Sequence, residues 1–340
     1  MAAVSEAAHR RCAIGPEEDV GALRRTVARL VAGQTGPRPG VAELVATELG
    51  TNLVRHAHPG GYVLLRKAGD GIELISVDHG PGMPPGALAP TAAASAPPVG
   101  GRGLSAGLAV VRRHATEFDC YSTRHGTVVY ARLGTAEPPA SGRWRFGAVD
   151  VPLGGDGESG DAWAVAPGHR PAAMVVDGLG HGPAAAVAAR AAVTAFAHCA
   201  VTDPAALVRR AHEAMRGTRG GVLGVCVIDP DRGELTYTAV GNITGRVFTA
   251  GRHGIHLLDR PGTLGTHLPP PTPHLQHGPW QPGSTLVLTS DGIRSGWNLD
   301  EHPRLLEHHP AVVAAVLHRD HGRPTDDATV LVVRDTSGTP

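Results

Sequence analysis

The second half of the chain repeatedly runs through an apolar, strand-like stretch that starts or stops on an aspartate: Asp161 to Val165, Ala172 to Asp177, Thr285 to Asp291 and Asp327 to Val333. Asp-Gly is an ordinary turn, and Asp70-Gly71 reads as no more than that. Four acidic strand ends in one region are poorly explained as independent turns. Strands of one domain pack side by side, so their ends gather. Carboxylates gathered together repel and lose hydration unless something positive joins them. The only lysine, Lys67, lies in the other half of the chain. The predicted compensation is a hard, oxygen-seeking cation such as Mg2+ or Mn2+.

Between these strands the spacing predicts an alanine-rich helix from Pro183 to Cys199 and a helix from Pro204 to Met215 capped by Thr202 or Asp203. It also predicts a hairpin at Pro230-Asp231-Arg232-Gly233. The first half reads differently. Val20, Leu23, Val27, Leu30 and Val31 follow helical spacing between Pro16 and Gly33, and a second helix runs from Val41 to Ala57. A hairpin follows, Tyr62 to Arg66 and Ile72 to Asp78, and then a Pro- and Ala-rich loop from Pro84 to Val99. Gly100, Gly101 and Gly103 lead into a helix with an apolar stripe of Leu104, Leu108, Val111, Ala115 and Phe118. A last hairpin joins Phe118–Ser122 to Thr127–Leu133. The stretch from Gly134 to Gly142 has linker composition, which places domains at 1–135 and 143–338 with a linker at 136–142. Strands and helices in blocks predict an α+β fold.

A chain of 340 residues has room for two such domains. Its 31 Lys+Arg balance 31 Asp+Glu, and this neutrality argues against a nucleic-acid or membrane-surface partner. Cys12, Cys120, Cys199 and Cys226 have no paired spacing, so neither a zinc site nor a disulfide framework is indicated. No basic segment followed by an apolar core opens the sequence, and no apolar run approaches the ~20 residues that cross a bilayer. A soluble, cytoplasmic protein is expected. Coding bias accounts for most of the 46 glycines.

On the Val41–Ala57 helix, Glu48 and Asn52 fall within the apolar arc of Val41, Leu44, Val45, Leu49 and Leu53. A carboxylate there costs several kcal/mol unless compensated. A buried structural pair is one explanation, and a Mg2+-bound ligand is the better one. Asp78-His79-Gly80-Pro81-Gly82 follows a strand and offers one carboxylate beside glycines that allow close backbone approach. Gly101-Arg102-Gly103-Leu104-Ser105-Ala106-Gly107-Leu108 opens a helix, whose free N–H groups suit phosphate oxygens.

Taken in order, with Gly126-Thr127 on a late strand, these pieces resemble the GHKL-type ATP-binding fold of gyrase, Hsp90, histidine kinases and MutL, over about Pro16 to Leu133. The wording Glu48-Leu-Gly-Thr-Asn52 and Glu117-Phe118-Asp119 is most similar to the RsbT/RsbW/SpoIIAB serine kinases of bacterial partner switching. That resemblance implies an α/β sandwich with a mixed sheet and helices on one face. It implies ATP with Mg2+ held through Asn52, and Glu48 as general base toward an acceptor serine. Asp78 would meet the adenine amino group with Gly80 and Gly82 beside it, Gly101, Gly103 and Gly107 would cradle phosphates, and Thr127 would close the adenine end. The Pro84–Val99 loop would be the ATP lid.

In the second half, Asp177-Gly178-Leu179-Gly180-His181-Gly182, Thr289-Ser290-Asp291-Gly292-Ile293 and Asp326-Asp327-Ala328-Thr329-Val330 resemble the SpoIIE-like branch of the PPM-type serine/threonine phosphatases, over about Arg143 to Asp335. Ala239-Val240-Gly241-Asn242-Ile243 and Leu264-Gly265 are most similar to RsbX within that branch. The resemblance implies a β-sandwich flanked by helices and two Mn2+ or Mg2+ ions held by Asp161, Asp177, Asp291, Asp326 and the Gly178 carbonyl. Bridging water would attack a phosphoserine. Asp156 competes with Asp161 for the first position and Asp327 with Asp326 for the last. His181 is as readily structural as a general acid. Arg143 and Arg145 read as surface charge, as do His308-His309 and the group His267, His274 and His277. The partner implied is a STAS-domain antagonist protein, with a sigma factor as a second candidate; the alternative function is a nucleotide-gated binding module that sequesters such a partner.

Overall fold

Helices with one apolar stripe and strands with buried faces find their partners within each half of the chain, and the contacts divide accordingly. One unit is Arg11–Ala136; the other combines Met1–Arg10 with Glu137–Pro340. The computed structural model describes residues 3–4, 8–58, 60–84, 104–135, 142–199, 203–249, 254–266 and 269–337. Gly101 and Gly103, the expected lid after Pro84, and linker residues 136–141 lie outside the described residues.

From the N-terminus the elements are β1 (Ala3–Val4), β2 (Arg10–Ile14), α1 (Glu17–Val31), α2 (Val41–His56), β3 (Gly61–Ala68), β4 (Gly71–Asp78), α3 (Leu104–His114), β5 (Glu117–Thr123) and β6 (Gly126–Leu133). α1 turns Val20, Leu23 and Val27 inward, and α2 turns Val45, Leu49 and Leu53 inward. Both stripes meet Val63, Leu65, Leu74 and Val129 of the sheet β2-β3-β4-β6-β5, with Val111 of α3 completing the core. β3–β4, β4–β6 and β5–β6 are all antiparallel, because tight hairpins join them or bring them together.

The remaining elements are β7 (Trp144–Val151), β8 (Asp161–Ala166), β9 (Ala172–Gly178), α4 (Pro183–Ala197), α5 (Pro204–Ala214), β10 (Gly221–Asp229), β11 (Glu234–Val240), β12 (Thr244–Phe248), β13 (Ile255–Leu257), β14 (Gln276–Pro279), β15 (Thr285–Thr289), α6 (Pro310–His321) and β16 (Ala328–Asp335). They form two sheets, β1-β8-β9-β10-β11-β14 and β13-β12-β15-β16-β7. The alternation of side chains along each strand splits the apolar residues into two layers. Trp163, Val175 and Tyr237 face Trp144, Leu288 and Leu331 between the sheets. Met174 and Val176 face outward beneath Ala188, Ala192 and Phe196 of α4 and Leu207 of α5. α6 lies on the other sheet against β7 and β16.

Two surface readings of polar residues change once these layers form, those of His309 and Arg143. His309 caps α6, its Nδ1 accepting the Ala311 N–H at 3.2 Å, whereas His277 stays exposed with its Nδ1 2.5 Å from Glu234 Oε1. Asp203 caps α5 by accepting the Ala205 N–H at 2.9 Å. Arg143 is an anchor: its Nη2 donates to the buried Asp335 at 2.9 Å and its Nε at 3.2 Å. Burial pushes the Asp335 carboxyl up, but the bonds from Arg143, Ser337 and Trp280 outweigh it and hold it below the ordinary carboxylate range. A carboxyl depressed in the folded state stabilises above its unfolded value of about 4 and ceases to do so as pH falls through its folded value. Arg143→Met leaves that charge buried with fewer partners; urea unfolding at pH 7 is expected to show a loss of about 2 kcal/mol, diminishing below about pH 4.

Candidate functional site

In the N-terminal unit the polar residues of α2 are brought against a helix that has no side chain to offer at the contact. A Cβ at Gly107 would lie 2.8 Å from Glu48 Oε2 and 3.3 Å from Asn52 Oδ1, so the α3 backbone passes close to both side chains at a residue that has none of its own. Asn52 Nδ2 is buried and has no hydrogen-bond partner among the described residues. A buried orphan amide N–H costs about 1–3 kcal/mol, and a phosphate oxygen accepting from Nδ2 would remove that cost.

The strand ends supply the second part. Asp78 Oδ1 accepts the Gly80 N–H at 2.7 Å and the Thr127 N–H at 3.1 Å, which places Asp78 and Thr127 together across β4 and β6. Thr127 Oγ1 and Ser122 Oγ are 2.9 Å apart, and Ser122 Oγ accepts the Met83 N–H at 2.8 Å. Gly82 has φ +80°, and a Cβ there would lie 2.2 Å from the Thr123 carbonyl oxygen, so the turn needs glycine on both counts. Glu48, Asn52 and Gly107 thus form one group, and Asp78, Gly80, Gly82 and Thr127 another within the same unit.

In the C-terminal unit, β8 and β9 pair with Asp161 directly opposite Asp177. Asp291 and Asp326 belong to turns, since β15 stops at Thr289 and β16 starts at Ala328. Asp177 shares a hydrogen bond with Asp291; burial first, then the charges of Asp291, Asp326 and Asp327, push its carboxyl up to about 8. Burial and Asp326 raise Asp291 as well, against the opposing effect of Asn242. Asp161 is raised far above the carboxylate range by burial, then by Asp177 and Asp150, although Ser290 Oγ donates to its Oδ2 at 2.6 Å. Among the described residues no three His, Cys, Asp or Glu side chains close into a ready-made metal cage. Carboxylates that raise one another in this way form an all-oxygen donor set, which fits Mg2+ or Mn2+.

The competing aspartates are engaged elsewhere. Asp327 accepts the Leu153 N–H at 2.7 Å with one oxygen and the Gly160 N–H at 2.8 Å with the other. Asp156 pairs with Arg10 at 2.9 Å. Gly178 ends β9, its N–H donating to the Gly160 carbonyl at 2.9 Å, while His181 is exposed. Residues not assigned to the site from sequence also converge: Asn242 Nδ2 donates to Asp291 Oδ2 at 2.7 Å, and Ser290 supports Asp161. Both stand in the motifs that carry the resemblance, Thr289-Ser290-Asp291 and Ala239-Val240-Gly241-Asn242-Ile243, but no role attached to either from sequence.

The family described as stage II sporulation protein E (SpoIIE) matches residues 167–335, and the histidine kinase-like ATPase domain matches residues 15–133. The chain joins a histidine kinase-like ATPase domain to a domain of the SpoIIE family. A chain of the bacterial stressosome, described as a modular system adapted to control secondary messenger signalling, is 30% identical with a TM-score of 0.52, over 56% of this chain and 100% of its own. RsbX in complex with magnesium is 19% identical, TM-score 0.49, over 57% of this chain and 96% of its own. The RsbU and RsbW domains of a Mycobacterium tuberculosis protein are 18% identical, TM-score 0.45, over 58% of this chain and 61% of theirs. No curated protein matches the chain. The SpoIIE-family domain has the PP2C-type serine/threonine phosphatase fold, and no described helix is long and apolar enough to cross a membrane.

The geometry separates the adjacent aspartates by experiment. In EDTA, Asp326→Asn is expected to leave thermal stability unchanged or raise it, since it removes a like charge from Asp177 and Asp291. Asp327→Ala is expected to cost about 2–4 kcal/mol, because two buried N–H groups lose their acceptor. Parallel denaturant titrations of the two variants check this.

Proposed function

We propose that the chain is a partner-switching regulator whose SpoIIE-family domain is a metal-dependent phosphoserine phosphatase and whose ATPase domain binds ATP and acts as a serine kinase. The reading is carried by the mutually raised carboxylates of Asp177 and Asp291 beside Asp326 at the strand ends of a SpoIIE-family fold. Asp177, Asp291 and Asp326, with the Gly178 carbonyl and Asp161, would hold two Mn2+ or Mg2+ ions. When bound, these ions lower the pKa of a water and neutralise phosphate charge. Asn242 fixes the orientation of Asp291 by its 2.7 Å bond, and Ser290 does the same for Asp161 at 2.6 Å. Asp327 holds the loop ahead of Asp161 through Leu153 and Gly160 and leaves Asp326 to face the cluster.

In the ATPase domain, Asn52 would hold Mg2+ against the phosphates with Gly107 letting them approach, and Glu48 would accept the proton of the acceptor serine. Asp78, fixed by the Gly80 and Thr127 N–H groups, would meet the adenine amino group. The substrate proposed is a serine of a STAS-domain antagonist protein in the cytoplasm, so that its phosphorylation state selects the partner bound; a sigma factor is the second candidate partner. Both charged substrates would be met by cations and backbone N–H groups, which explains how a chain of net charge +0 handles them.

Incubation with Mn2+ and a phosphorylated STAS protein is expected to release phosphate, with Asp177→Asn slower by about 10^3-fold or more; equal release from wild type and variant would refute the phosphatase reading. Labelled ATP is expected to transfer its γ-phosphate to the unphosphorylated STAS protein in wild type and not in Glu48→Ala. Binding of ATP without transfer in wild type would favour a nucleotide-gated binding module. Gly107→Val is expected to weaken ATP binding at least about tenfold, read by calorimetry, because its side chain occupies the contact with Glu48 and Asn52.

A further inference from the structure

β7 is an edge strand of its sheet, so backbone groups of Asp150 that do not face β16 need another partner. His9 supplies it on both sides. The His9 N–H donates to the Asp150 carbonyl at 2.6 Å, and His9 Nδ1 accepts the Asp150 N–H at 3.3 Å, with the histidine completely buried. A few residues earlier, β1 adds to the edge of β8, Val4 opposite Ala164 and Ala3 opposite Val165. One residue later, Arg10 reaches Asp156 at 2.9 Å. Ala3, Val4, His9 and Arg10 therefore hold the edges of both strands that flank the 152–160 loop, and the loop itself, just before it delivers Asp161.

A path of neighbours runs from Asp150 to Asp161, by strand register as far as Thr329 and by hydrogen bonds beyond it. Asp150 lies opposite Thr329 in the β7–β16 pairing. The Thr329 N–H donates to Ser290 Oγ at 3.0 Å, and Ser290 Oγ donates to Asp161 Oδ2 at 2.6 Å. Asp150 is itself buried, and its charge bears on Asp161. Two buried carboxylates this near each other stay in place only if the backbones carrying them are held, and His9 holds one of them.

We propose that Ala3, Val4, His9 and Arg10, although they precede the ATPase domain in the sequence, complete the SpoIIE-family domain, and that His9 is a positioning residue for Asp161 in the cation site. The inference rests on the reading of that site given above. Supporting groups behind metal ligands commonly change affinity by 10–100-fold.

The test uses the full chain, stripped with EDTA and titrated with Mn2+ by calorimetry. His9→Leu keeps bulk and removes the Nδ1 acceptor; His9→Asn keeps a side-chain acceptor at a similar distance from the backbone. His9→Leu is expected to bind Mn2+ about tenfold more weakly or worse, and His9→Asn within about threefold of wild type. Far-UV circular dichroism in EDTA and binding of a non-hydrolysable ATP analogue are expected to be unchanged in both. Wild-type Mn2+ affinity in His9→Leu would overturn the inference while leaving the cation site intact. Loss of the circular dichroism signal in His9→Leu without Mn2+ would assign His9 to folding alone and also overturn it. A wild-type chain that binds no Mn2+ would instead refute the cation site itself, and this inference with it.

Discussion

Electrostatic repulsion among buried carboxylates is the constraint around which the C-terminal unit is organised. Strand pairing sets Asp161 opposite Asp177, and turns bring Asp291 and Asp326 to the same end of the sandwich. Desolvation and neighbouring charge raise Asp161, Asp177 and Asp291, so the fold bears a standing cost there. The apolar layers on either side of the sheet β1-β8-β9-β10-β11-β14 resist that cost, with large aromatic side chains such as Trp163 and Tyr237 between the sheets. A sandwich with less burial would open at its charged end.

Hydrogen bonding divides labour among residues of the same type. Asp327 and Asp335 spend their oxygens on backbone N–H groups, on Arg143 and on Trp280, and so serve the scaffold. Asp177, Asp291 and Asp326 meet mainly one another, with Asn242 as the neutral exception. The same distinction appears in the N-terminal unit, where Asp78 is fixed by the Gly80 and Thr127 N–H groups whereas Asn52 Nδ2 has no partner among the described residues. A polar side chain with its bonds satisfied locally is part of the frame. One left short at a buried position is poised for a ligand.

The aspartates at strand ends were legible because a strand is short, its ends are marked by glycine, and acidic side chains rarely stand there in number without cause. The α2 pair of Glu48 and Asn52 was legible because helical periodicity sets side chains on faces. Asn242 was legible only as part of the Ala239–Ile243 wording, with no role attached; it met Asp291 when the turns after β11 and β15 came together. His309 and Arg143 looked like solvated charge because a histidine is an uncommon cap and an arginine at a linker has no periodic signature; His309 finds Ala311 two residues on, whereas only packing supplied Asp335 to Arg143.

Local sequence by itself determined the helices and hairpins, the glycines that admit close approach, and the supply of carboxylates at strand termini, since these depend on periodicity and conformational freedom within a few residues. Tertiary structure alone decided that Asp327 is tied to the Leu153 and Gly160 N–H groups, where His9 and Arg10 pack, and which hydroxyl and amide support the acidic cluster. Those choices join residues far apart in the chain, His9 with Asp150, Ser290 with Asp161 and Asn242 with Asp291. No local propensity encodes such pairings; they follow from burying two apolar layers at once and satisfying every polar group that burial strands.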